Sequence, residues 1–427
     1  MVMTVVIAII FIVGYLAIAF EHPLKINKAA SALLTGVICW TVYALSASNK
    51  ELVSENLAHH LSDIAGILYF LVGAMVIVEL IDAHDGFEVI TQRIRTTNKR
   101  KLVWIIGIIT FFLSAVLDNL TATIVMVSLL RKLIPSHKDR LMFAALIVIS
   151  ANAGGAWSPI GDVTTTMLWI GNQVTTANII IKTIVPSLVC FFVPALVISM
   201  QMKGSIEPVE QKKEKLFSSV NERNTVFIIG LSCLLFVPIF KTITHLPPYM
   251  GMIFGLGTMW MLTEMVHTGK DEAEKGLLSV NHALRKIDTP SILFFLGILL
   301  AVSALQSTGI LTSIASSLDR SIGNISIITI IIGFLSSIVD NVPLVAAAQG
   351  MYSLDQYPTD HFFWEFLAYC SGTGGSILII GSAAGVAAMG MEKIQFGWYL
   401  KKIAWIAIIG YLSGAAVFLL QHYLLNL

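Results

Sequence analysis

Long apolar runs separated by short charged segments set the pattern of this 427-residue chain. Runs near the ~20 residues that a helix needs to cross a bilayer cover Val2 to Phe20, Ala29 to Ala47 and Leu61 to Leu80, predicting three spanning helices. Asp82 to Arg95 is short and amphipathic and leads into Arg93, Arg95, Lys99, Arg100 and Lys101, the pattern of an interfacial segment. The run from Leu102 to Leu130 is longer than one crossing and contains Asp118-Asn119. Its flanks, Arg100-Lys101 and Arg131-Lys132, belong on the same side of a membrane, so residues 102–130 are expected to form a re-entrant hairpin turning at Leu117-Asp118-Asn119. A helix over 141–170 follows, interrupted by polar and glycine residues, and then a span over 179–200. After a charged linker, 203–224, the pattern repeats. Spans are expected over Thr225 to Phe240, Met250 to Met265 and Ile292 to Leu305. An amphipathic stretch, Ile310 to Leu318, leads to a second hairpin over 325–348, a broken helix over 362–389 and a last span over 398–425.

The interruption in the first broken helix runs Ser150-Ala151-Asn152-Ala153-Gly154-Gly155-Ala156-Trp157-Ser158-Pro159-Ile160-Gly161-Asp162-Val163-Thr164-Thr165. Pro159 removes a backbone donor, and the glycines let the chain leave helical geometry. Broken backbone at membrane depth survives only where protein or a water-filled cavity satisfies it. Asn152, Ser158, Asp162, Thr164 and Thr165 add side-chain oxygens to the freed carbonyls, the donor set of a cation site; a polar loop outside the membrane is the competing reading.

The two halves match in order. Phe70-Leu71-Val72-Gly73 recurs as Phe294-Phe295-Leu296-Gly297, an offset of 224 at the glycine; Leu117-Asp118-Asn119 as Val339-Asp340-Asn341, an offset of 222; and Gly154-Gly155 with Gly161 as Gly374-Gly375 with Gly381, an offset of 220. Residues 1–202 and 225–427 thus read as two repeats of five crossings and one hairpin each. An odd number of crossings inverts the second copy, the plan of secondary transporters. With both termini outside, 23 of the 27 Lys and Arg residues fall in cytoplasmic segments and only Lys50, Lys182, Lys241 and Arg320 outside, as the positive-inside rule requires.

Composition agrees: 56% hydrophobic, 12% charged and mean hydropathy +0.82 describe an all-α polytopic membrane protein of about ten spanning helices with two re-entrant hairpins and two broken helices. The net charge of +1 says nothing of nucleic acid, since the basic residues are dispersed between spans and not gathered on one face, and no nucleic-acid partner is expected. Cys39, Cys190, Cys233 and Cys370 lie singly in apolar runs and read as small hydrophobes. The first apolar run starts at residue 2 without a basic leader, so a retained first helix is expected rather than a signal peptide.

On Asp118-Asn119, Asp340-Asn341 and the run Ser150 to Asp162, the chain resembles the NhaD-type sodium/proton antiporters of the ion transporter superfamily, over essentially its whole length. The resemblance implies a scaffold and a transport unit of hairpins and broken helices, a homodimer in the inner cell membrane with periplasmic termini, and exchange of sodium or lithium for protons without a cofactor. The functional positions it implies are Asp118, Asn119, Asn152, Asp162, Thr164, Thr165, Ser336 and Asn341, with Ser371 and Ser376 behind them. Ser158 and Asp340 complete the candidate set, and Asp118, Asn119, Asp162 and Thr164 are the expected sodium ligands. Where other superfamily carriers have serine before the hairpin asparagine, this chain has aspartate. That departure argues against a carboxylate substrate; a sodium-coupled dicarboxylate symporter and an arsenite exporter of the same superfamily are the nearest alternatives.

An ionised, unpaired carboxylate at membrane depth is costly, so an aspartate there holds a proton until a cation replaces it. Competition for one carboxylate then couples the two ions. Hard cations take oxygen ligands, and no Lys or Arg lies in the hairpins or breaks to receive an anion. For Asp118 and Asp340 the other reading is a cap at a hairpin turn. A more distant alternative, an intramembrane aspartyl protease using Asp162, leaves the duplicated hairpins unexplained. Glu79 and Glu365 are relay candidates that equally fit interfacial positions. His84, His137, His245 and His282 are expected in loops.

Overall fold

The apolar runs become helices that pack around two hairpins and two interrupted helices in the computed structural model, which describes residues 2–19, 21–91, 94, 96–206, 219–267 and 276–425. Three helices open the chain: α1 (Val2–Ala19), α2 (Lys28–Ser46) and α3 (Lys50–Ala83). α3 extends well beyond the expected span Leu61 to Leu80. The Asn49 side chain caps it by accepting from the N–H groups of Glu51 and Leu52 at 3.0 and 3.2 Å, and the polar first turns form a largely exposed extension. Because α3 absorbs Asp82 and Ala83, the expected interfacial helix shrinks to Glu88–Thr91; Arg93 and Arg95 lie outside the described residues.

The chain then forms α4 (Lys99–Leu117) and α5 (Asn119–Leu133), with only Asp118 between them. Lys99 at the start of α4 pairs at 2.8 Å with Asp139, just past α5, so the two helices fold back on each other. α6 (His137–Gly155) and α7 (Val163–Ile170) are separated by the non-helical residues 156–162, and α8 (Thr176–Gln201) closes the first half. The second half comprises α9 (Val220–Thr244), α10 (Pro248–Val266), α11 (Thr289–Ser307), α12 (Ile310–Ser321), α13 (Ile325–Leu335), α14 (Asn341–Met351), α15 (Phe362–Gly374), α16 (Ala383–Glu392) and α17 (Ala404–Leu425). α9 begins inside the expected linker, where Ser219 and Glu222 form a capping box; residues 207–218 and 268–275 are outside the described set. The last expected span is split at Ile403, after a short helix Phe396–Lys402. Among the described residues, seven helices are long and apolar enough to cross a membrane. This is an all-α polytopic membrane protein.

The ends of the broken helices show how the halves are related. Arg131 of α5 and Arg140 of α6 hold the buried carboxylate of Glu392, the last residue of α16, at 2.8 and 2.9 Å. At the opposite end, Asp360, just before α15, accepts from the Thr175 N–H and hydroxyl at 2.6 and 2.8 Å, between α7 and α8. α6 therefore starts where α16 ends, and α15 starts where α7 ends, so the two broken helices run in opposite directions.

Away from the breaks, α2 crosses α11 closely. A Cβ on Gly36 would lie 2.6 Å from the Gly297 carbonyl oxygen, and the Trp40 indole N–H donates to Leu300 O at 2.9 Å. The four cysteines are buried and free.

Candidate ion site where hairpins and breaks meet

Each break is docked into the hairpin of its own half by the same two devices. Gly154 lies so close to the Phe111 carbonyl that a side chain there would overlap it, and Gly374 meets the Gly333 carbonyl in the same way, at offsets of 220 and 222. The Ser114 hydroxyl donates to Ala151 O at 2.6 Å, and the Ser336 hydroxyl to Ser371 O at 2.7 Å, at the same two offsets. The two hydroxyls thereby tie the last turn of each helix before its break to the hairpin. The four N-termini that begin at Asn119, Val163, Asn341 and Ala383 are brought to the site.

Asp162 is at the centre and only 1% exposed. As the N-cap of α7, its Oδ1 accepts from the Thr164 N–H and the Thr164 hydroxyl, both at 2.8 Å. Oδ2 accepts from Asn119 Nδ2 at 2.6 Å, while Asn341 Nδ2 reaches both oxygens at 3.3–3.4 Å. Asn119 Nδ2 also donates to Asn152 Oδ1 at 3.0 Å, and Asn152 Nδ2 donates to Val148 O and to the Ser382 hydroxyl, each at 3.0 Å. One bonded network thus draws on both hairpin tips and both breaks. Among the described residues, no Lys or Arg bonds Asp162.

Of the residues singled out by sequence, Asn119, Asn152, Asp162, Thr164 and Asn341 meet here. Thr165 turns its hydroxyl to the Asp162 backbone carbonyl at 2.8 Å, away from the carboxylate. Asp118 spends both oxygens on Thr121, at 2.8 Å to its N–H and 2.8 Å to its hydroxyl, and caps α5. Its backbone, at φ 77 and ψ 157, occupies a region that costs a non-glycine residue ~1–3 kcal/mol. Asp340 caps α14, accepting from the Val342 N–H at 3.4 Å. Ser158 accepts from the Ile160 N–H at 3.4 Å. Ser371 donates to Leu367 O inside α15, and Ser376, in the break just past its end, donates back to Thr373 O, each at 2.7 Å.

Three residues outside the candidate set bear on the site, and one of them, Ser382, is bonded into the network through Asn152. Ser382 is the repeat partner of Asp162 at the same offset as the paired glycines, a signal present in the sequence. Thr123 sits one helical turn past Asn119 on the same face, and its buried hydroxyl has no partner. Lys28 approaches Asp340 from α2, to 3.9 Å. The other titratable candidates have partners elsewhere: Glu79 pairs with Lys286 at 3.2 Å, and fully buried Glu365 with Lys182 at 3.1 Å. His84, expected in a solvated loop, is instead buried, because the ends of α3 and α10 come together. Its Nε2 is 2.9 Å from His267 Nε2. His137 Nε2 is 3.0 Å from Glu392 O.

A family model described as citrate transporter matches residues 2–369. Sodium/proton antiporter 1 of Arabidopsis thaliana is 48% identical over 418 residues, 97% of this chain and 72% of the relative. Sodium/proton antiporter 2 of the same plant is 47% identical, over 97% of this chain and 99% of the relative. The Na(+)/H(+) antiporter NhaD of Vibrio cholerae is 30% identical over 98% of this chain and 91% of its own length.

Proposed function

The chain belongs to the NhaD-type sodium/proton antiporter family, and we propose that its exchange of sodium for protons takes place at Asp162, where the two ions compete for one carboxylate. The observation that carries this reading is the single network joining Asp162 to both hairpin tips and both breaks. A buried carboxylate without a basic partner needs a positive charge to balance it, and the two cargo ions can each supply one.

The surrounding groups suit all the states such a site passes through. An asparagine amide offers N–H to a bare carboxylate and, turned over, its carbonyl oxygen to a sodium ion or to the O–H of a protonated acid. Asn119 and Asn341 can therefore follow the exchange without leaving Asp162. The Thr164 hydroxyl and the orphaned Thr123 hydroxyl add neutral oxygens of the kind a hard cation takes. A citrate-like substrate suits the site poorly, because Asp162 repels carboxylates and no bonded cation offsets it. This separates the chain's cargo from the description of the family model that it matches.

Alternating access follows from the inverted repeats: the hairpins and broken helices move as one unit against a scaffold that includes α2, α3, α10 and α11. In this reading the end carrying Arg131, Arg140 and Glu392 is cytoplasmic, the end carrying Thr175, Lys182 and Asp360 is periplasmic, and the protein is a homodimer in the inner membrane. The test is sodium-triggered proton movement in proteoliposomes containing the wild type or Asp162→Asn. Loss of exchange in a folded variant is expected; wild-type exchange would remove Asp162 from the site.

A further inference from the structure

We propose that Lys28 is a positioning residue of the transport cycle: a scaffold cation that holds the tip of the second hairpin in one of the two alternating states and releases it in the other. Lys28 opens α2, where Asn27 caps the helix by accepting from the Ala29 N–H at 2.8 Å. Its ammonium lies 4.7 Å from the centre of the Phe294 ring on α11 and 3.9 Å from Asp340 Oδ2, with both charged side chains partly covered, at 25% and 18% exposure. The first contact anchors Lys28 to the scaffold, and the second reaches across to the hairpin. Asp340 directly precedes Asn341, whose amide bonds Asp162, so whatever fixes this tip also fixes a group on the ion site.

The repeat shows that the charge is specific to one side. Asp118, the counterpart of Asp340, also faces scaffold helices, across a cavity of about 20 Å³ bounded by Phe70 and Leu71 of α3, Leu234 of α9 and Met252 of α10. That cavity has room for about one water and no cation in its lining. Among the described residues, the scaffold therefore offers a counter-charge to one hairpin tip and not to the other. Lys28 also borders an open cavity of about 280 Å³ between the two units, with Asp288 and Ser291 on the scaffold side and Leu120 and Ala383 on the other. The pair thus stands at the boundary that must slide. Lys28 travels with α2 and Asp340 with the hairpin, so relative movement breaks the pair, and its strength biases the equilibrium toward the state seen here.

The inference rests on the exchange proposed above, and its test separates the two. Lys28→Gln, Lys28→Arg, Asp340→Asn and the double variant Lys28→Gln/Asp340→Asn are compared in proteoliposomes. Each neutralising single variant is expected to change the exchange rate about tenfold, the double variant to be no worse than the poorer single, and Lys28→Arg to stay near wild type. Losses that multiply in the double variant, or wild-type rates for Lys28→Gln, overturn the proposal. A cysteine at Ser291 supplies a readout that a merely structural role would leave unmoved. Lys28→Gln should change its labelling by an aqueous thiol reagent several-fold at unchanged melting temperature, and unchanged labelling overturns the proposal. If Lys28→Gln does not fold, Lys28→Asp/Asp340→Lys replaces it: recovery relative to Lys28→Asp supports the pair, and no recovery refutes it. Asp162→Asn is run alongside. Exchange by that variant together with non-additivity at Lys28 would refute the ion site and leave the pair standing.

Discussion

The two hairpin asparagines make unequal bonds to Asp162, and that difference predicts an order of effects. Asn119 donates to Oδ2 at 2.6 Å, whereas the Asn341 amide nitrogen is shared between both oxygens at 3.3–3.4 Å. The amide held closest to the carboxylate is the one placed to turn its carbonyl oxygen to a bound sodium, and by losing that contact to a charged partner, ~1.5–3 kcal/mol, Asn119→Ala should weaken half-saturation by sodium about 10- to 150-fold. It also strips the donor from Asn152 Oδ1, bonded at 3.0 Å, which pushes the effect toward the upper end. Asn341→Ala removes a longer, divided bond, worth ~0.5–1.5 kcal/mol and about 2- to 13-fold. The assay is sodium-triggered proton movement in proteoliposomes, titrated with sodium at a fixed alkaline pH, with gel filtration confirming folded protein. An Asn341→Ala effect as large as or larger than that of Asn119→Ala would refute the assignment of Asn119 as the principal partner of Asp162.

Thr164→Ala should weaken sodium half-saturation by about tenfold while Thr165→Ala shifts it less, because only Thr164 bonds the Asp162 carboxylate; equal effects in the same titration would contradict the geometry. At the end carrying Arg131 and Arg140, burial raises the Glu392 carboxyl but the two arginines outweigh it and hold it below its ordinary value of 4.5. Its stabilisation is therefore complete above the ordinary carboxylate range and fades as pH falls through the depressed value. Glu392→Gln should cost about 2 kcal/mol at neutral pH and lose this part of the acid dependence, read from thermal unfolding between pH 7 and about 3; an unchanged pH profile would contradict it. Cysteines at the exposed positions Lys138 and Asp355 should label from opposite faces of the membrane, cytoplasmic and periplasmic respectively, and labelling of both from one face would contradict the inverted arrangement.

The sequence was informative wherever a polar residue interrupted an apolar run. Asp118-Asn119 between two basic flanks marks a turn inside the membrane because an apolar helix has no other use for that pair. The Pro159 and glycine cluster marks a break for the same reason, and the glycine offsets carried the repeat over to Gly374 and Gly381. Direction was not legible. Asp118, Asp162 and Asp340 are one residue type at three helix N-termini, and all three act as caps. Only tertiary packing decides that Asp162 also meets two asparagines while Asp340 meets a lysine. Thr164 and Thr165 are adjacent, so their side chains leave the helix about 100° apart, and one reaches the carboxylate. Lys28 read as an ordinary basic flank of a span, because its partner lies more than three hundred residues away. The extension of α3 was missed because residues 50–60 are too polar to read as part of a span; the Asn49 cap and a narrow face, with Val53 buried and His60 3.0 Å from the Ser307 hydroxyl, hold them helical.

The central claim, one carboxylate shared by sodium and proton, is tested most directly by half-saturating sodium measured as a function of pH in proteoliposomes. With a single competing proton, each pH unit below the titration of the shared carboxylate should raise half-saturating sodium about tenfold, ~1.4 kcal/mol, while the maximal rate at saturating sodium changes far less. A sodium affinity independent of pH, with the maximal rate carrying all the pH dependence, would contradict it.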